Sequence, residues 1–315
     1  GGVQWPWDEI SPKCLDITLV EPDPKEADRL RRDWEGTGRG TVLSAALWRE
    51  ETTLQLHVNR SPGTSSVFPS NFNLLNQFPD ARRFEAVSIV DVPAKTIDGV
   101  AAANGLHDID VAKIDVQGAE LAILEGGAVH LSHNLVALEL EVEFCPLYAG
   151  QPLFSDVDSF VRGMGLELWD LHTTYWKYER GRHVPGPQKG RLVCGDALYF
   201  RPLQGLESWL STMPAALAQS KAVMLVVTAL VYGYVDYATA VLTDPTVARF
   251  FDNGARVGLE RAVRSVGRGF RLPRRGNRYL YWFFHLLASA SRTSPGDWAT
   301  GGPGLGSRRR GPFWS

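Results

Sequence analysis

The chain has 315 residues, 44% hydrophobic and 22% charged, which excludes a wholly disordered, collagen-like or membrane-embedded protein and suits one main domain with an appendage. The formal net charge is -2, from 33 Lys and Arg against 35 Asp and Glu, and gives no general reason to expect a nucleic-acid or membrane partner. Cys14, Cys145 and Cys194 show no CxxC spacing, so neither a disulfide scaffold nor a thiolate metal site is indicated and a reducing cytoplasm is the expected compartment.

The chain opens on Gly1-Gly2 with no signal-peptide pattern. Ile17-Thr18-Leu19-Val20 predicts a strand ending at Glu21. Asp23 then predicts an N-cap with Pro24 at the first helical position, for a helix running to about Trp34. From Thr41 to Leu47, Thr53 to Val58 and Phe84 to Val92 the pieces are short and β-rich, as in one main strand followed by a hairpin-like excursion. Val111 to Asp115 is a strand that meets Gln117-Gly118 and then a helix carrying Leu121, Leu124 and Ala128, broken near Gly126-Gly127. Leu135 to Phe144 is the next strand, and Ser155-Asp156-Val157-Asp158 starts the next helix. Leu166 to Leu171 and Asp196 to Phe200 suit an antiparallel pair at the sheet edge, and the α/β unit should close near Pro202.

Alternating strands and helices predict a mostly parallel sheet covered on both faces. After Leu206 the patterns are helical. The apolar run Ala222 to Val235 is 14 residues, short of the roughly 20 that a membrane-spanning helix needs, so no transmembrane segment is expected.

Glu21 stands at the carboxyl end of an early strand, where ligands of open α/β sheets bind and where an acid can accept from two ribose hydroxyls. It suits equally a surface acid at the start of the following helix. Asp115 faces the same crevice, with Gly118 allowing a close turn. Glu139, Glu141 and Glu143 alternate on one face of a strand whose neighbours should be apolar on both faces. Asp115, Glu141 and Glu143 are therefore the candidate proton acceptors, ahead of His107 and His172. Asp115, Glu120, Glu141 and Glu143 binding a divalent cation is the lesser alternative. Trp169, Tyr175 and Trp176 would either stack on a ligand or cover the sheet edge.

Lys113-Ile114-Asp115-Val116-Gln117-Gly118-Ala119-Glu120, with Leu124-Glu125-Gly126 behind it and Thr96-Ile97-Asp98 upstream, resembles the FkbM-type methyltransferases, a family of the class I S-adenosylmethionine-dependent superfamily. Val142-Glu143-Phe144, Leu147-Tyr148, Gln151-Pro152-Leu153-Phe154, Gly165 and Asp170-Leu171 extend the resemblance over about Ile17 to Arg201. It implies a Rossmann-like α/β fold with a mostly parallel seven-stranded sheet and an antiparallel edge. It also implies S-adenosylmethionine as cofactor and O-methylation of a sugar or small-molecule acceptor. By position, Glu21 would hold the cofactor ribose, Gly1 and Gly2 would end the glycine turn around its methionine part, and Asp115 would sit beside it. The acidic strand end and full glycine turn should precede Gly2, so the first strand is expected to be truncated.

The expected organisation is a methyltransferase domain over residues 1–204, a helical cap over 205–245 and a basic region over 246–315 ending in a disordered tail. The last region holds 13 Arg and no Lys against three acids, a net +10 that leaves -12 on the rest. Its arginines followed by Tyr279, Tyr281 and Trp282 would suit an acidic partner. A non-catalytic methyltransferase-fold protein that binds a partner through this region is the alternative function, and an NAD-linked oxidoreductase using Glu21 is a third.

Overall fold

The computed structural model describes residues 6–34, 39–106, 108–183, 190–266 and 299–301. Along the chain run β1 (Asp16–Val20), α1 (Pro24–Trp34), β2 (Arg39–Leu43), β3 (Ala46–Leu47), β4 (Thr52–Asn59), α2 (Phe72–Leu75), β5 (Ala86–Lys95) and α3 (Ile97–Asn104). Then come β6 (Val111–Ile114), α4 (Glu120–Glu125), α5 (Ala128–Asn134), β7 (Ala137–Glu143), α6 (Phe154–Gly163), β8 (Glu167–Trp176) and β9 (Arg191–Phe200). The helices α7 (Leu206–Ser211), α8 (Ala215–Val231), α9 (Val235–Thr243) and α10 (Asn253–Val266) follow, and β10 (Ala299–Gly301) is last.

Local chemistry sets many of these boundaries. Asp23 Oδ1 accepts from the backbone N of Lys25 at 2.8 Å and of Glu26 at 3.3 Å, so the predicted cap starts α1. Gly126-Gly127 separates α4 from α5 because each approaches a neighbour closely; a Cβ on Gly126 would lie 2.1 Å from the Trp48 carbonyl oxygen. Asp156 Oδ2 accepts from Leu153 N at 2.9 Å and closes the first turn of α6.

The fold is mixed α/β, but the single seven-stranded sheet does not form among the described residues. The strands make three hydrogen-bonded groups: β1-β2, β3-β5-β4 and β10-β8-β9-β7-β6. Only β1–β2, β3–β5 and β6–β7 pair in parallel. The free edge of β1 and the free edge of β6 meet no described strand, so the two parallel groups stay unjoined. The antiparallel β8–β9 pair is present and longer than its sequence pattern suggests.

The five-stranded sheet carries helices on both faces. Leu138, Leu140 and Val142 of β7 pack with Ile123, Leu124, Leu131, Val157 and Val161 of α4, α5 and α6. On the opposite face Ala137, Leu198 and Phe200 pack with Leu210, Ala222, Leu225, Val226, Ala238 and Val241 of α7, α8 and α9. The period-2 alternation of β7 therefore sends Glu139, Glu141 and Glu143 to the face that carries α8. A third core joins Leu74, Leu75, Phe78 and Phe84 of the 60–85 excursion to Leu147, Tyr148, Trp176 and Val193. Trp169 packs edge-on against Phe200 and beside Tyr237, and Trp176 against Phe78, so both cover the sheet.

No helix among the described residues is long and apolar enough to cross a membrane. The region over 246–315 lies mostly outside the described residues. Within α10, Arg256 and Arg264 pair with Glu260 of the same helix.

The α8 helix is fixed by a charge. Lys221 is 0% exposed, and its Nζ donates to Asp110 Oδ1 at 2.9 Å and also contacts Asp108 Oδ1, on the segment just before β6. Burial raises the Asp110 pKa and Lys221 opposes that rise. Lys221→Met should therefore leave two uncompensated acids at a buried contact and cost about 3–5 kcal/mol in urea unfolding. Adding Asp110→Asn should recover part of the loss.

Candidate active site

The candidate residues meet where two neighbouring parallel strands end. Asp115 follows β6, Glu141 and Glu143 lie in the last part of β7, and Glu120 opens α4. The parallel register sets Lys113 beside Glu139, one step before the cluster. Lys113 Nζ pairs with Glu139 Oε1, and the Tyr232 hydroxyl donates to Glu139 Oε2 at 2.7 Å from the end of α8. Trp7 Nε1 donates in turn to Tyr232 Oη at 3.2 Å. Glu139 is thus neutralised and used to dock the helical layer, which separates it from the two acids that share its face.

Beyond Glu139 the acids have no such cation. Among the described residues, Asp115, Glu120, Glu141 and Glu143 make no salt bridge to Lys or Arg. Burial, then the nearby Asp115, pushes the Glu141 pKa well up. Burial and the charges of Glu120 and Asp115 do the same to Glu143, which is 3% exposed. Burial raises Glu120 to about 7 even though its Oε1 accepts from Val116 N at 2.9 Å and Gly118 N at 3.3 Å. Like charges crowded away from water hold protons in this way.

The turn after β6 is strained and heavily bonded. Gln117 has φ 58° and Gly118 φ 98°, the left-handed region that a non-glycine side chain enters at a cost of order 1 kcal/mol or more. Gln117 Nε2 donates to Asp115 Oδ1 at 3.2 Å and also to Glu141 Oε2, bridging the two strands. Its carbonyl accepts from Ser66 Oγ at 2.7 Å. The Tyr148 hydroxyl lies 2.8 Å from the Thr64 carbonyl oxygen and 3.0 Å from Gln117 Oε1, so one proton serves two acceptors. The excursion therefore forms a wall of the acid cluster.

The other predicted residues are placed separately. Glu21 follows β1 and its Oε1 accepts from Asp23 N at 3.0 Å. No hydrogen bond among the described residues joins Glu21 to the Asp115 cluster. His172 Nδ1 lies 3.2 Å from Asp196 Oδ2 on the same sheet face as Glu141. Gly1, Gly2 and His107 lie outside the described residues. Among the described residues no group of three or more His, Cys, Asp or Glu side chains is arranged to hold a metal ion. Sequence reasoning gave no role to Ser66, Gln117, Tyr148 or Gln151. Gln117, Tyr148 and Gln151 stand only within short motifs and Ser66 within none, and the bonds that bring Ser66 and Tyr148 to Gln117 span 51 and 31 residues of sequence.

The raised carboxyl pKa values fix the sign of a pH dependence. A carboxyl whose folded pKa exceeds its unfolded value near 4.5 stabilises the fold below that value, and the stabilisation is lost as pH rises through the folded pKa. Urea midpoints should therefore fall between pH 5 and 8, with a loss on the order of 3 kcal/mol from Glu120 alone. Glu120→Gln, which keeps an oxygen for Val116 N and Gly118 N, should flatten that slope.

The methyltransferase FkbM domain matches residues 11–168 of this chain. The 2-O-methyltransferase NoeI of Sinorhizobium fredii (strain NBRC 101917 / NGR234) is 24% identical over 169 residues, 50% of this chain and 69% of that protein. No solved structure matches. The matched span contains the β6 and β7 strand ends with Asp115, Glu120, Glu141 and Glu143, and on that match the chain belongs to the FkbM methyltransferase family.

Proposed function

We propose that this protein is an S-adenosylmethionine-dependent O-methyltransferase of the class I fold, acting on a hydroxyl of a sugar or small-molecule natural product. The observation that carries this reading is the group of carboxyls beside the ends of β6 and β7, of which Glu120, Glu141 and Glu143 have raised pKa values and make no described salt bridge to Lys or Arg. A relative named as a 2-O-methyltransferase supports oxygen as the accepting atom.

The residues present suit the cofactor. Glu21 keeps one carboxylate oxygen without a partner among the described residues, at a strand end where a ribose would be accepted. An uncompensated acidic cluster favours a cationic ligand such as a sulfonium. S-adenosylmethionine, when bound, supplies a methyl group on a sulfur leaving group. Glu21 would hold its ribose and Asp115 would lie beside it. Gly1 and Gly2 would complete the turn around its methionine part.

One of Glu141 and Glu143, in its ionised form, then receives the hydroxyl proton. Burial raises the pKa of both, and a carboxylate with a raised pKa is a stronger base than an exposed one. Gln117 ties Asp115 to Glu141, so the two strands present their acids as one rigid group. Rigid placement of the acceptor relative to its base contributes much of the rate in a displacement of this kind.

Calorimetric titration with S-adenosylmethionine should show one site per chain, and no binding would overturn this reading. Glu21→Ala should weaken that affinity by roughly tenfold or more, the worth of a charged hydrogen bond. Glu143→Gln should leave cofactor affinity intact while slowing transfer of labelled methyl to the best hydroxyl acceptor by about 10²–10⁴-fold.

A further inference from the structure

One buried amide in the acid cluster uses its oxygen within the fold but not the whole of its NH₂ end. Gln151 is 8% exposed. Its Oε1 accepts from Tyr148 N at 2.5 Å, and because a backbone N–H can only donate, this bond fixes which end of the amide is oxygen. The NH₂ end therefore points the other way. It faces Glu143 closely enough for a long side-chain hydrogen bond to favour that acid's charged form. Yet no protein acceptor takes a hydrogen from Gln151 Nε2 in hydrogen-bonding geometry. A buried donor left unbonded is costly, and such groups in folded proteins have a ligand or other role that explains them.

The surroundings keep the amide in place. Gly118 turns at φ 98° directly against it, and a Cβ there would lie 3.2 Å from Gln151 Cβ and 3.3 Å from Nε2. The glycine thus leaves room for the amide beside the acids. Gln117 is different, because its Nε2 is already taken by Asp115 and Glu141. Of the two amides, only Gln151 keeps a hydrogen beyond the one its neighbouring acid draws.

We propose that Gln151 is a ligand-binding residue that selects a neutral polyhydroxylated acceptor, its side-chain nitrogen donating to one hydroxyl oxygen while Glu143 accepts that hydroxyl's hydrogen. This rests on the hydroxyl-methylation reading above and names the residue that recognises the acceptor. A hydroxyl is both acceptor and donor, which is what an N–H beside a carboxylate calls for. A phosphorylated or carboxylated ligand would meet four acids and is disfavoured. A metal ion beside Glu143 would face the hydrogens of the amide, which no cation tolerates as a ligand.

The test is saturation-transfer NMR on the full chain with glycerol, myo-inositol and the methyl glycosides of glucose, mannose and galactose, up to tens of millimolar. At least one should bind, and Gln151→Met should weaken it at least tenfold with S-adenosylmethionine affinity unchanged; its melting temperature falls because Tyr148 N loses its acceptor, which Gln151→Glu retains. Gln151→Glu, which replaces the donor by a fifth acid, should abolish it. Equal affinity in Gln151→Met, no binding by any of the five compounds, or displacement of the bound compound by Mg²⁺ alone would overturn the proposal. If a polyol binds through Gln151 but the protein takes no S-adenosylmethionine, the methyltransferase reading fails and this one stands. If the cofactor binds and Gln151→Met changes nothing, only this one fails.

Discussion

Placing four carboxyls beside the ends of two adjacent strands, with no salt bridge to Lys or Arg among the described residues, is the constraint on which the site depends. Glu120 and Glu143 are buried and Glu141 half-buried beside the exposed Asp115, and protons and hydrogen bonds offset the repulsion among the three glutamates in place of salt bridges. The backbone N–H groups of Val116 and Gly118, in the turn after β6, serve Glu120, and Gln117 serves Asp115 and Glu141. The strained Gln117–Gly118 turn follows from the same need. At these left-handed dihedrals the Gln117 amide and the Val116 and Gly118 N–H groups all bond to acids.

The sheet divides this chemistry from ordinary support. Glu139, Glu141 and Glu143 lie on one face by strand alternation, yet Glu139 is paired with Lys113 and Tyr232 and anchors the helical layer. The α8 helix ends at Val231, with Tyr232 next to it, so the part of β7 beyond Glu139 passes from its cover to that of the excursion. Lys221 with Asp108 and Asp110 holds that helix to the approach of β6. A buried charge at each end of the contact sets where the helical layer stops, and so which acids remain for chemistry.

The 60–85 excursion has more than a peripheral role. Through Phe84 and Tyr148 it joins the third core, and through Ser66 and the Thr64 carbonyl it reaches the Gln117 turn. A segment that reads as short strands between breakers thereby becomes a wall of the acid cluster. Hydrogen bonds made across 51 and 84 residues of sequence leave no local pattern to read.

The sequence by itself determined the periodic and punctuated features: β1 and α1 around Asp23, the strand–turn–helix at Asp115, the break at Gly126-Gly127, and the three acids on one face of β7. These follow from caps, glycine and alternation, which act within a few residues. Family membership was likewise legible, because its motifs are contiguous. Only the tertiary structure decided that the strands form three groups instead of one sheet of seven, since each pairing depends on an edge far away in the chain. It also decided that Glu139 is structural, that His172 pairs with Asp196, and that the Gln151 amide turns toward Glu143. The physical reason is common to all three. Burial and the identity of the neighbour set a side chain's charge and hydrogen bonding, and both are properties of the folded chain alone.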